Sequence, residues 1–230
     1  MVVSLENLSE TFWAMKESYF VFYDWEFLSS LFMIIICPVT WNLVARWEFH
    51  TKIFSKLAGD NRLAADVFAH ILIEMGILRN YLFSRVIRHQ NHFEFEGSLS
   101  TALTIVSVMI VGFGFALNFM AYYRLGIHGI YYADYFDILF PEIVTAFPYN
   151  VLDNPLYVGS FMLFFGNALF FRCPAGILLS GVALIMYKFA SILENPMTAL
   201  IYSPENIKKV RKMSKERDRR ESQEIKKLMG

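Results

Sequence analysis

The sequence predicts an all-α fold, a polytopic integral membrane bundle of four to five membrane-embedded helices that ends in a basic cytoplasmic C-terminal tail. Three observations lead there. Hydrophobic residues make up 56% of the 230, above the roughly 45–50% usual in soluble domains. They gather in long runs, as they do in a chain solvated by lipid. The formal net charge of zero conceals segregation. Residues 1–26 hold one Lys against five acids, and residues 203–230 hold ten Lys/Arg against five acids. The chain therefore divides into an acidic N-terminal segment (1–26), a membrane domain (27–202) and a basic tail (203–230).

Lipid offers no partner to an open backbone amide, so a crossing needs about 20 mostly apolar helical residues. Residues 27–45 and 99–123 contain no charge, and the second run is the clearest span. Residues 63–83 form a weaker one, interrupted by Asp66, Glu74 and Arg79. Residues 156–193 would make a single helix of roughly 57 Å at 1.5 Å per residue, too long for a core about 30 Å thick. Arg172-Cys173-Pro174-Ala175-Gly176 divides this run, because Pro breaks the hydrogen-bond ladder and Gly permits a turn. Two tightly linked helices are expected. At the far end, Pro196 is expected to stop the last helix just after Glu194.

Orientation follows from Lys and Arg in the connecting segments. Segment 46–62 has four, segment 84–98 two, segment 124–156 one and the tail ten. The two richest segments share a side only if an even number of crossings separates them. Spans two and three plus a helical pair satisfy that. The N-terminus is then outside, and segment 124–156, Glu194 and the tail are cytoplasmic. The tail reads as a positive-inside anchor on anionic lipid rather than a nucleic-acid binder. Cys37 and Cys173 are too few for a disulfide framework and read as buried free thiols. No cleavable signal peptide is evident before the first apolar run.

Polar groups at membrane depth are costly, and each asks for a reason. Asp66, His70 and Glu74 recur every four residues and so share one helical stripe, read first as a seam satisfied by a neighbouring helix. Gly112-Phe113-Gly114 lies in the third span, where spacing alone favours helix packing. Asp134, Asp137, Glu142 and Asp153 sit among Tyr and Phe, a composition suited equally to a solvated acidic loop or to a cationic amine held by charge and cation–π attraction. Glu194 closes the last apolar run. It could meet a ligand or be an exposed helix end.

Several motifs now fall in order. Trp41-Asn42-Leu43-Val44-Ala45-Arg46-Trp47-Glu48 is followed by Leu125-Gly126-Ile127-His128-Gly129 and Asp134-Tyr135-Phe136. Asp153-Asn154-Pro155-Leu156-Tyr157-Val158-Gly159-Ser160 and Glu194-Asn195-Pro196-Met197-Thr198-Ala199-Leu200-Ile201-Tyr202 complete the set. Over residues 37–202 the chain resembles the phosphatidylethanolamine and phosphatidyl-N-methylethanolamine N-methyltransferases. It departs from their pattern at Asn195, where they carry a second Glu, and at His128. Tyr132-Ala133-Asp134-Tyr135-Phe136-Asp137 stands for their Leu-Gly-Asp-Tyr-Phe-Gly, and Pro141-Glu142-Ile143 lacks their Arg.

The resemblance implies a membrane-bound phospholipid N-methyltransferase of the endoplasmic reticulum, or also of mitochondrial membrane, acting toward phosphatidylcholine. It implies S-adenosylmethionine as cofactor, held by Gly112, Phe113 and Gly114 in one helix and by Glu194 and Asn195 in another. The partner is a phospholipid in the bilayer. A protonated amine must lose its proton before attack. His128, Asp134 and Glu142 are the candidate bases, while Tyr135, Asn154 and Tyr157 are candidates for headgroup contact. A related methyltransferase acting on a prenylcysteine carboxylate would want a cationic pocket, against which the acidic 124–156 segment argues. A catalytically weakened relative that binds lipid or serves as a scaffold is the other alternative.

Overall fold

The computed structural model describes residues 24–140 and 143–229. The acidic residues 1–23 and the candidate base Glu142 lie outside them. The described residues form seven α-helices, one 3-10 turn and no strand. The helices are α1 (Trp25–Thr51), α2 (Ile53–Ala58), α3 (Asn61–His89), α4 (Gly97–Ile130), α5 (Pro155–Phe170), α6 (Pro174–Ile201) and α7 (Pro204–Met229), with the 3-10 turn at Ala133–Phe136 between α4 and α5. Helices α1, α4 and α6 are long and apolar enough to cross a membrane, and α5 is a shorter apolar helix. The expected helical membrane bundle is therefore present, with α3 as its polar fifth member.

The turns are set by local chemistry. Asp60 caps α3 by accepting from the Leu63 amide at 3.2 Å, satisfying one of the first-turn donors. Glu48 is fully buried and accepts from the Phe54 amide (2.8 Å), the Ser55 amide (3.1 Å) and the Ser55 hydroxyl. It thereby folds α2 back against the end of α1. Pro155 and Pro174 occupy the first turns of α5 and α6, where a missing N–H costs nothing. The expected division of the 156–193 run is observed, with Arg172 in the left-handed region at its corner. Asp137 is also left-handed (φ 63°), a conformation Asp tolerates better than most residues. Pro196 does not stop its helix. It lies inside α6, which continues to Ile201, and the Arg46 guanidinium donates to the Leu193 carbonyl beside it. The carbonyl that Pro196 leaves without its helical donor is that of Ile192, one residue before the Leu193 carbonyl.

Around the bundle α3 packs on α1, α1 on α6, α6 on α5 and α5 on α4, whereas α4 meets α3 only sparsely. The α4–α5 seam is made of small residues. A Cβ on Gly114 would stand 2.8 Å from the Gly159 carbonyl oxygen, and one on Gly166 would stand 2.7 Å from Val111 Cγ2. The outer face of α4 carries Met109, Phe113, Phe119 and Tyr123, all exposed, which is tenable only against lipid. Two apolar cores hold the ends. Trp41, Phe68, Tyr135 and Phe136 build one around the 3-10 turn. Phe83, Phe164, Leu179 and Tyr187 belong to the other. Cys37 and Cys173 are buried and free.

Candidate active site

Glu194 stands at the centre of a polar hub near the end of α6. Its Oε1 accepts from Asn42 Nδ2 of α1 at 3.0 Å, and from the hydroxyls of Tyr132 and Tyr157. Each donor comes from a different element. Asn42 also donates to the Pro38 carbonyl at 3.1 Å, which fixes its amide. Tyr132 is held in the left-handed region (φ 63°) just before the 3-10 turn. The Tyr157 ring stacks on Tyr187 with centroids 4.9 Å apart and planes within 9°. Three donors converge on one carboxylate oxygen, and no hydrogen bond among the described residues falls on Oε2. Glu194 thus has its position fixed and one oxygen free for a ligand.

Two cavities flank the hub. The smaller, about 110 Å³, is lined by Glu194, Asp134, Tyr135, Tyr149, Asn154 and Tyr157, among others. It places two carboxylates among four tyrosines (Tyr132 is the fourth), a lining that suits a cation. Tyr149 lies in the loop before α5, and burial pushes its phenol up to about 12, so its hydroxyl is a donor at neutral pH. Asn154 is oriented by its 2.8 Å bond to Ser191 Oγ. The larger cavity, about 730 Å³, runs along α3 and includes Arg79, Asn118, Tyr157, Ser160 and Tyr187. Tyr132 and Tyr157 line both, so their side chains form the partition.

Of the residues the sequence singled out, Asp134, Tyr135, Asn154, Tyr157 and Glu194 share the small cavity. The others go elsewhere. His128 Nε2 bonds Asp66 Oδ1 at 2.7 Å, with both side chains about two-fifths exposed, so Asp66 of the α3 stripe is paired with a neighbouring helix while His70 bonds the Asp66 carbonyl of its own helix, and His128 lines neither cavity. Asn195 is exposed. Gly112, Phe113 and Gly114 line neither of these two cavities. Residues two apart on a helix point about 200° apart, so Gly112 and Gly114 cannot bare one face. Gly114 packs on Gly159, nothing stands within 4 Å of a Cβ on Gly112, and Phe113 is 56% exposed.

Sequence reasoning missed Asn42, Tyr132 and Tyr149. The signal for Asn42 was a polar residue inside a charge-free span. Tyr132 stood at the head of the quoted Tyr132–Asp137 motif, and Tyr149 four residues before the one that starts at Asp153.

The site belongs to a helical membrane protein in which a half-buried acid–tyrosine hub lies between a small acidic, aromatic cavity and a large one between helices. The phospholipid methyltransferase family profile matches residues 102–205, from the first turns of α4 to just past α6. Phosphatidylethanolamine N-methyltransferase A of Dictyostelium discoideum is 40% identical over 187 residues, covering 81% of this chain and 86% of that protein. Phosphatidyl-N-methylethanolamine N-methyltransferase of Saccharomyces cerevisiae is 40% identical over 182 residues (76% and 86%). Phosphatidylethanolamine N-methyltransferase of Homo sapiens is 34% identical over 180 residues (78% and 89%). No solved structure matches. The chain belongs to the phospholipid methyltransferase family, and it is an enzyme with several membrane-embedded helices.

Proposed function

We propose that the protein uses S-adenosylmethionine to methylate the amino nitrogen of phosphatidylethanolamine and its mono- and dimethyl derivatives, toward phosphatidylcholine. It would do so in the endoplasmic reticulum membrane, with the hub end facing the cytoplasm. The observation that carries this reading is the hub itself, a half-buried carboxylate with one oxygen engaged by three donors and the other without a hydrogen bond among the described residues, sharing a tyrosine-lined cavity with Asp134.

The lining suits the cationic end of the cofactor, because a sulfonium and an alkylammonium are both cations, and carboxylates with aromatic faces attract cations; at about 110 Å³ the cavity takes that end and not the whole nucleoside. Glu194 and Asp134 would hold it. When bound, it supplies an electrophilic methyl group on sulfur. Asp134, the one candidate base that lines the cavity among the described residues, takes the ammonium proton at a carboxylate oxygen and so exposes the nitrogen lone pair. Tyr157 and Tyr132 keep Glu194 oriented through their hydroxyls. Their rings, with Tyr149, face the positive charge that grows on nitrogen and exclude water from the reacting atoms. Most of the acceleration then comes from fixed geometry. Gly114 contributes at one remove, by letting α5, and with it Tyr157, approach α4.

Membranes containing the protein, given labelled S-adenosylmethionine and each of the three acceptor lipids in turn, should transfer label to at least one. Transfer to none of them, with the cofactor recovered intact, would overturn the reading. Glu194→Gln should weaken cofactor binding, measured directly on purified protein, by about tenfold or more.

A further inference from the structure

Arg79 has no role in the hub, yet it occupies an unusual place. It lies 18 residues after the start of α3 and ten before its end, which at 1.5 Å per residue is about 27 Å and 15 Å from the two termini. Ile77, Leu78, Leu82 and Phe83 surround it in sequence. A guanidinium at that depth is costly unless it is paired or faces a cavity. Arg79 makes no ion pair among the described residues. Its Nε and Nη2 reach only the side-chain oxygen of neighbouring Asn80, at 3.4 and 3.3 Å. The guanidinium lies 5.2 Å from the centroid of Phe164 and 5.9 Å from that of Tyr187, and the residue lines the large cavity.

The next links lead to the hub. Tyr187 stacks on Tyr157, and Tyr157 bonds Glu194. The cavity therefore offers an uncompensated cation at one position and the tyrosine partition at the next. Phosphorus and nitrogen of an ethanolamine headgroup are four bonds apart, a reach of about 5 Å at roughly 1.5 Å per bond. Leu72, Ile73 and Ile77 line the same cavity beside the sparse α3–α4 contact, an apolar side opening for acyl chains.

We propose that Arg79 is the anchor for the lipid's phosphodiester. It holds the headgroup in the large cavity so that the amine meets the Tyr132–Tyr157 partition, and it selects phosphate-bearing amines. This rests on the proposed reaction and adds the residue that recognises its acceptor. The chemistry recognised is an anionic oxygen group. The lipid phosphodiester supplies it here, and the cofactor's carboxylate is the source the test must separate.

The test compares wild type, Arg79→Gln and Arg79→Lys, purified and assayed for label transfer to short-chain phosphatidylethanolamine. A second acceptor is a dialkylglycerol 2-aminoethyl ether, which carries the amine but no phosphate. Cofactor affinity is measured separately by direct binding. Wild type should favour the phosphate-bearing acceptor by about tenfold or more, the scale of a charge-assisted bidentate contact. Arg79→Gln should raise KM for that acceptor by the same factor, bring the preference close to one, and leave cofactor affinity within twofold. Arg79→Lys should recover part of the preference. An unchanged lipid KM and preference in Arg79→Gln overturns the proposal, as does a loss confined to cofactor affinity. If Arg79→Gln does not fold, a preference retained in full by Arg79→Lys overturns it, because a point charge cannot reproduce the planar fork. Wild type inactive on both acceptors defeats the proposed reaction instead.

Discussion

Replacing Tyr157 by Phe removes one hydroxyl and nothing else from the hub. The ring keeps its place against Tyr187, 4.9 Å away and nearly parallel. What is lost is one of three donors to Glu194 Oε1, together with a 3.3 Å contact to the Tyr132 hydroxyl. A hydrogen bond to a charged group contributes about 1.5–3 kcal/mol. If Glu194 is needed in the transition state, that loss lowers kcat/KM by about 10- to 150-fold at 1.36 kcal/mol per decade. The assay is label transfer by purified protein, on variants that elute as wild type from a sizing column. A cycle with Glu194→Gln isolates the interaction. Removal of the hydroxyl should cost less once the charge is gone, giving a coupling of about 1 kcal/mol or more. Additivity within about 0.3 kcal/mol would mean that Tyr157 acts independently of Glu194, and the hub as an orienting device would be refuted.

Three further outcomes follow from the geometry. Asp134→Asn should lower kcat at neutral pH by about 100-fold or more, and the residual rate should rise about tenfold per pH unit as the amine deprotonates unaided; Tyr149, pushed up to about 12 by burial, stays protonated below pH 9 and does not contribute to that rise. A flat residual profile would remove Asp134 as the base. His128→Ala should change kcat/KM no more than a few-fold, since its half-exposed pair with Asp66 contributes only about 0–1 kcal/mol; loss of activity would restore His128 to the site. Gly114→Ala should lower the thermal midpoint in detergent while Gly112→Ala leaves it unchanged, because only the first Cβ meets backbone at 2.8 Å; equal effects would contradict the packing of α4 on α5.

Helix number and the break at Arg172–Pro174 were legible because they depend on apolar length and on Pro chemistry, both local. The end shared by segment 124–156, Glu194 and the tail was legible from counting crossings. Asp134, Tyr135, Asn154, Tyr157 and Glu194 were found through motif order, and they converge because α5, α6 and the 3-10 turn meet at that end. Three expectations turned on local rules that take no account of the third dimension. Gly112 and Gly114 are adjacent in a motif yet nearly opposite on a helix. His128 has the chemistry of a base but finds Asp66 first. Pro196 removes one hydrogen bond, that to the Ile192 carbonyl, without ending α6. Tyr132 enters the hub by a left-handed backbone angle that nothing in its neighbours announces.

The sparse α3–α4 contact has a bearing on diet. On the proposed reading, a lipid that comes in through the side of the bundle leaves its tails among their own kind throughout. Only the headgroup changes surroundings, and only the headgroup is weighed. Fatty-acid length and unsaturation should then matter little to turnover, and the finished product should carry the same tails as the pool it was drawn from.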